Sequence, residues 1–155
     1  MESFLFDLNF IGLVILKDPV RPDAKEFMAI SRRAGIRTVM VTGDHALTAQ
    51  AVANETGLLI KKKYPGEIME GKEIDTFEPK ELAHRLRGIS IFSRVTPEHK
   101  LKIAEAWQSQ GEVVAVIGDG VNDSPALRRA DVGVSLSSGV DLAKESSDLI
   151  LLDDS

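Results

Sequence analysis

Residues 113–127, VVAVIGDGVNDSPAL, hold the densest set of groups able to do chemistry. Asp119 and Asp123 stand four positions apart with the amide of Asn122 between them. Together they form a cluster of hard oxygen donors of the kind Mg²⁺ accepts, alongside phosphate oxygens and water. Glycines flank the turn, and Pro125 suits the first turn of a following helix. Immediately before it, Val113, Val114, Ala115, Val116 and Ile117 are apolar and mostly β-branched, which predicts a strand buried on both faces. Carboxylates at the carboxyl end of such a strand lie on the edge where open parallel α/β sheets bind their ligands.

Two further groups are candidates for the same edge. Thr42 follows a short apolar run and offers a hydroxyl, and Gly43 lets a phosphate approach the backbone. A helix beginning just beyond Asp44 adds amide donors and the positive end of a dipole. Lys100 lies one turn into a helix that starts at Pro97, so its ammonium can reach the sheet edge and neutralise phosphate charge. His45, His84 and His99 show no partner in the sequence and read as surface residues, and Trp107 reads as packing.

Positioning these groups requires alternating strands and helices. Residues 4–16, FLFDLNFIGLVIL, read as extended, and the prolines at 19 and 22 lead into a helix that stops at Gly35. A strand over 38–41 feeds the Thr42 loop, and a helix over 46–56 closes at Gly57. The pattern weakens over 58–76, where 61–66 reads as a loop and 67–74 as a short hairpin or surface excursion. Then follow a helix over 79–87, a strand over 89–92, and a long helix capped by Thr96-Pro97-Glu98 that ends before Gly111. After the central motif come a strand over 132–135, a helix over 140–146 and a strand over 149–152. This alternation predicts an α/β fold: a Rossmann-like parallel sheet with helices on both faces.

Bulk composition narrows the function classes. A chain of 155 residues, 43% hydrophobic and 28% charged, makes one ordinary globular domain. Its net charge of -5 and scattered cations argue against a nucleic-acid surface. With no cysteine, disulfides, thiolate metal sites and thiol catalysis are excluded. The apolar runs are too short for a membrane helix and the N-terminus has no signal pattern, so a soluble, cytoplasmic polypeptide is expected.

At residues 118–127 the sequence resembles the P-type cation-transporting ATPases, matching every fixed position of their GDGxNDxPAL motif. Further strings follow in family order: Asp18 and Arg21 in DPxR, Thr42-Gly43-Asp44 as TGD, SRVTPEHK ending at Lys100, residues 138–145 like SGTDVAKE, and LLDD near the C-terminus. The likeness runs from about Asn9 to Asp153. It implies the haloacid-dehalogenase-like fold of the phosphorylation domain, with Mg²⁺ as cofactor and ATP as substrate in full-length context. By the same resemblance Asp119 and Asp123 are the metal carboxylates, and Asp123 and Asn122 orient metal-bound water, phosphate and Lys100. Thr42 and Gly43 receive phosphoryl oxygens, Lys100 is the phosphate lysine, Asp44 and Arg94 face nucleotide, and Asp18 and Arg21 belong to the hinge.

P-type ATPases form an aspartyl phosphate in the sequence DKTGT. No such string occurs in these 155 residues. The expectation is therefore a partial phosphorylation domain, residues 18–155, lacking the nucleophile strand and preceded by an extended remnant of the nucleotide domain, residues 1–17. Such a piece leaves strand edges open, and residues 4–16 are expected to pair within the sheet or with a second copy. It is expected to be inactive alone and to partner the remaining nucleotide, actuator and membrane domains. Two alternatives stay open. Asp7, in FLFDLN, loosely echoes the nucleophile of small haloacid-dehalogenase-like phosphatases, and the open edges suit a non-catalytic partner-binding or oligomerising module.

Overall fold

The computed structural model describes residues 9–15, 18–59 and 67–153. Among the described residues, six parallel strands form two separate three-stranded sheets. In the first, β1 (Met40–Val41) and β2 (Glu67–Glu70) flank β3 (Ile89–Ser93); in the second, β4 (Ala115–Ile117), β5 (Val132–Leu136) and β6 (Leu149–Leu151) lie in chain order. Every residue of β3 is buried, as a central strand of the composition ISIFS should be. Val41 pairs with Phe92 and Ile117 with Val134, so the carboxyl ends of β1 and β3 share one edge and those of β4 and β5 share another.

Helices cover the first sheet on both faces. α1 (Ala24–Arg33) and α2 (Ala46–Glu55) bring Met28, Ala49 and Ala53 against Ile91 and Leu58. On the opposite face, α3 (Gly71–Ile74), α4 (Pro79–Arg85) and α5 (Pro97–Gln108) bury Ile74, Leu82 and Ile103 around Phe92. Gly35 and Gly57 end α1 and α2 with φ of +81° and +72°, a left-handed stop that glycine takes without steric cost. Trp107 packs against this second core, with the Arg37 guanidinium 5.0 Å above its ring. α6 (Ser124–Arg129) and α7 (Asp141–Glu145) pack on β5 in the second sheet.

Three expectations need correction. The strand at 115–117 is not buried on both faces: Ile117 is 69% exposed and neighbouring Val113 83%. Among the described residues its only ladder is with β5, so its other edge pairs with no strand. Residues 67–74 are no surface excursion but a strand and helix of the core, where Met69 and Ile74 are all but fully buried. Glutamates at 67 and 70 hide this strand from a periodicity reading. Residues 9–15 form no strand, and Phe10, Ile11, Leu13, Val14 and Ile15 are each more than 80% exposed. An apolar run states that burial is needed without supplying the partner. The open edges expected of a sheet without its central strand are present: β1 and β4 each end a three-stranded sheet, with no strand between them among the described residues. Asp7 and the 61–66 loop lie outside the described residues.

Asp131 links the second sheet to α5. Its carboxylate accepts the Val114 N–H at 2.8 Å and the Gln108 amide at 3.0 Å, tying the entry of β4 to the end of α5. These two bonds, the backbone one foremost, hold the Asp131 carboxyl below the ordinary carboxylate value. A lowered folded value contributes stability above the unfolded pKa of about 3.9, lost as pH falls through the folded value. Asp131→Asn is expected to flatten the acid limb of a melting-temperature profile below about pH 4. An acid limb identical to that of the parent chain would remove Asp131 from this account.

Candidate phosphate and metal site

Both β1 and β3 deliver polar loops at their carboxyl ends, and these loops are stitched together. The Val95 N–H donates to the Thr42 carbonyl at 3.2 Å, and the Arg94 N–H to the Asp44 carbonyl at 3.0 Å. Thr42 Oγ1 accepts the Asp44 N–H at 3.1 Å, which tightens the turn and leaves the hydroxyl proton to donate elsewhere. Nothing lies within 4 Å of where a Cβ on Gly43 would stand, so the backbone there is open to a ligand. Arg94 has φ of +50°, alone among the described non-glycine residues in being positive, and its guanidinium meets His45 Nδ1 at 2.7 Å. A strained backbone of this kind persists where surrounding bonds hold it.

From the same loop, Thr96 caps α5, whose first turn carries Lys100. The Lys100 ammonium meets Asp123 Oδ1 at 2.5 Å, with side chains only 21% and 13% exposed. The other Asp123 oxygen accepts the Gly120 N–H at 3.1 Å, so the turn after β4 is closed by its own acid. Gly118 is demanded by this closure, since a Cβ there would lie 2.5 Å from Asp123 Cβ and 2.6 Å from Cγ. The Asp119 carbonyl accepts the Val140 N–H at 2.9 Å, and Gly139 packs against the Asp119 backbone.

Lys100 and Asp123 are thus in contact, Asp119 and Asn122 stand in the same turn with exposed side chains, and Thr42, Gly43, Asp44 and Arg94 share the adjoining loop pair. Asp18 and Arg21 stand in the exposed segment before α1. Among the described residues Asp18 makes no hydrogen bond or ion pair with these loops. Both Asp123 oxygens are engaged, whereas the Asp119 carboxylate has no hydrogen-bond partner among the described residues. One free carboxylate fits Mg²⁺, which takes one or two with phosphate oxygens and water completing its shell. It does not make a cage: among the described residues no group of three or more His, Cys, Asp or Glu could hold a metal.

Three partners escaped the sequence reading. His45 holds Arg94, Gly120 satisfies Asp123, and His99 is buried at 6% exposure instead of lying on the surface. The His99 burial had a signal: it stands three residues after Thr96, at the reciprocal position of a capping box.

A hydroxyl loop, a lysine salt-bridged to an aspartate and a second, unpaired aspartate gather at the carboxyl ends of parallel strands, and the family model of haloacid dehalogenase-like hydrolases matches residues 2–131. The chain belongs to the haloacid dehalogenase-like hydrolases. Within this family it is similar to ion pumps. It is 48% identical over 155 residues to a calcium-transporting ATPase of Bacillus subtilis (strain 168), covering 99% of this chain and 17% of that protein. To the cation-transporting ATPase pma1 of Synechocystis sp. it is 45% identical over 148 residues, covering 95% of this chain and 16% of the relative. The solved catalytic domain of the CPx-ATPase CopB-B superposes with a TM-score of 0.62 at 26% identity, covering 85% of this chain and 40% of that one. The haloacid dehalogenase-like chain therefore spans about a sixth of the length of its ATPase relatives. No helix among the described residues is long and apolar enough to cross a membrane.

Proposed function

We propose that this chain is the second half of the phosphorylation domain of an ATP-driven cation pump of the calcium-transporting kind, working on the cytoplasmic side and unable to form a phosphoenzyme alone. The observation that carries the reading is the Lys100–Asp123 contact at the end of β4, in a chain whose relatives over nearly its whole length are cation-transporting ATPases.

Each residue has a task in this reading. Lys100, largely desolvated and aimed by Asp123, neutralises a phosphoryl oxygen. Thr42 donates its free hydroxyl proton to another oxygen, beside the open backbone at Gly43. Asp119 supplies the free carboxylate for Mg²⁺, while Asp123 and Asn122 orient Lys100 and metal-bound water. Bound there, Mg²⁺ would offset phosphate charge as substrate and nucleophile approach. Asp44 and Arg94, with His45 behind it, face the nucleotide, and Asp18 and Arg21 serve the hinge. ATP and the aspartate nucleophile come with the remainder of the pump.

The test is phosphoenzyme formation from γ-labelled ATP and Mg²⁺. The chain by itself is expected to trap no acid-stable label. Joined to the DKTGT-bearing remainder of a calcium-transporting ATPase, it is expected to restore labelling in a Lys100-dependent way. Turnover of an aryl phosphate by the chain alone, abolished by Asp7→Asn, would overturn this reading in favour of a small phosphatase.

A further inference from the structure

His99 occupies the third position of α5, where a capping box normally carries Glu or Gln. Its own N–H donates to Thr96 Oγ1 at 3.4 Å, and its Nδ1 accepts the Thr96 N–H at 3.0 Å. Because the Thr96 amide can only donate, Nδ1 carries no proton, and the ring proton sits on Nε2. That proton points at Asp75 Oδ2, 3.0 Å away on the residue capping the end of α3. Asp75 also takes the Lys102 ammonium at 2.8 Å, and the two partners hold its carboxyl below the ordinary value. Gly71 makes room for the ring: a Cβ there would lie 2.6 Å from Nδ1 and would also strike the Arg94 carbonyl.

One imidazole thus joins the β2–α3 corner, the loop that carries Arg94 and the first turn of α5. The next residue is Lys100, whose N–H makes an opening bond of that helix with the Thr96 carbonyl at 3.1 Å. We propose that His99 is a positioning residue for Lys100: by accepting from Thr96 and donating to Asp75 it fixes the first turn of α5, and so the direction from which the ammonium meets Asp123. This rests on the reading of Lys100 as the phosphate lysine. The chemistry explains the residue type. Glutamate would cap Thr96 but set a second carboxylate against Asp75, and leucine would do neither. Glutamine has an acceptor and a donor on one group and can do both.

The test uses the 155-residue chain and reads Lys100 by NMR, without phosphate or nucleotide. In the parent chain the ring nitrogen shifts are expected to show a bare Nδ1 and a protonated Nε2. His99→Gln is expected to keep the parent exchange rate of the Lys100 ammonium protons and the parent shift of the Asp123 carboxyl carbon. In His99→Glu and His99→Leu that exchange is expected to rise roughly tenfold, the ratio equivalent to one net hydrogen bond. A folded leucine variant with the parent Lys100 signals would overturn the proposal, as would a ring protonated on Nδ1. Should leucine prevent folding, the Gln and Glu variants decide, and equal Lys100 signals in the two refute it. A pump whose labelling ignores Lys100 would refute the functional reading and leave this result untouched.

Discussion

Lys100→Ala, in a complete pump containing this chain, is expected to cut the rate of phosphoenzyme formation by about 10²- to 10³-fold, the range seen when one preorganised charge-stabilising donor is removed. The effect is large because the ammonium is already oriented: Asp123 meets it at 2.5 Å and only a fifth of the side chain is exposed. Little reorganisation is left to the moment of reaction. Lys100→Arg is expected to be nearly as harmful, since a planar fork cannot replace a compact charge in the space beside Asp123. Lys100→Ala also leaves Asp123 mostly buried without its cation, so a loss of roughly 1.5–3 kcal/mol in folding stability is expected. Quenched labelling from γ-labelled ATP reads the first effect and urea unfolding the second. Labelling at the parent rate in a folded Lys100→Ala pump would remove Lys100 from the chemistry.

Gly118→Ala is the second large effect, and it separates backbone geometry from side-chain chemistry. The added methyl would overlap Asp123 Cβ and Cγ, and Asp123 is held on one side by the Gly120 N–H and on the other by Lys100. Relief requires the turn after β4 to open, which breaks those bonds. A destabilisation of about 1–3 kcal/mol is expected, together with loss of the Lys100–Asp123 contact. Gly43→Ala is the comparison, because its Cβ would enter open space. It is expected to leave unfolding in urea unchanged within about 0.5–1 kcal/mol. Equal midpoints for the Gly118 and Gly43 variants would show that the turn yields freely, and the steric account of Gly118 would be wrong.

Much of the first sheet could be read from the chain because its signals are local. The strand over 89–92 announces itself in ISIF, the α5 cap in Thr96-Pro97, and the ends of α1 and α2 in glycines that adopt positive φ. The second strand, EIME, could not be read in this way, because its burial comes from pairing with β3 and its glutamates disguise the alternation. The candidate site divides along the same line. Thr42, Lys100, Asp119 and Asp123 were picked out by residue type, by spacing and by likeness to the pumps. The partners that aim them, Gly120 for Asp123, His45 for Arg94 and Asp75 for His99, were not.

Local sequence signals carry most of the order of strands and helices, the parallel α/β class and the residues expected at a phosphate and Mg²⁺ site, because periodicity, capping and side-chain chemistry act over a few neighbouring positions. The folded chain alone reveals that Glu67–Glu70 joins the first sheet beside β3, and that Asp123 engages both oxygens with Lys100 and Gly120 while Asp119 keeps its carboxylate free. It also reveals that the imidazole beside Lys100 is buried and not at the surface. These outcomes depend on which distant segments meet, 23 residues apart for Lys100 and Asp123 and 24 for His99 and Asp75, and no local pattern encodes a meeting of that kind.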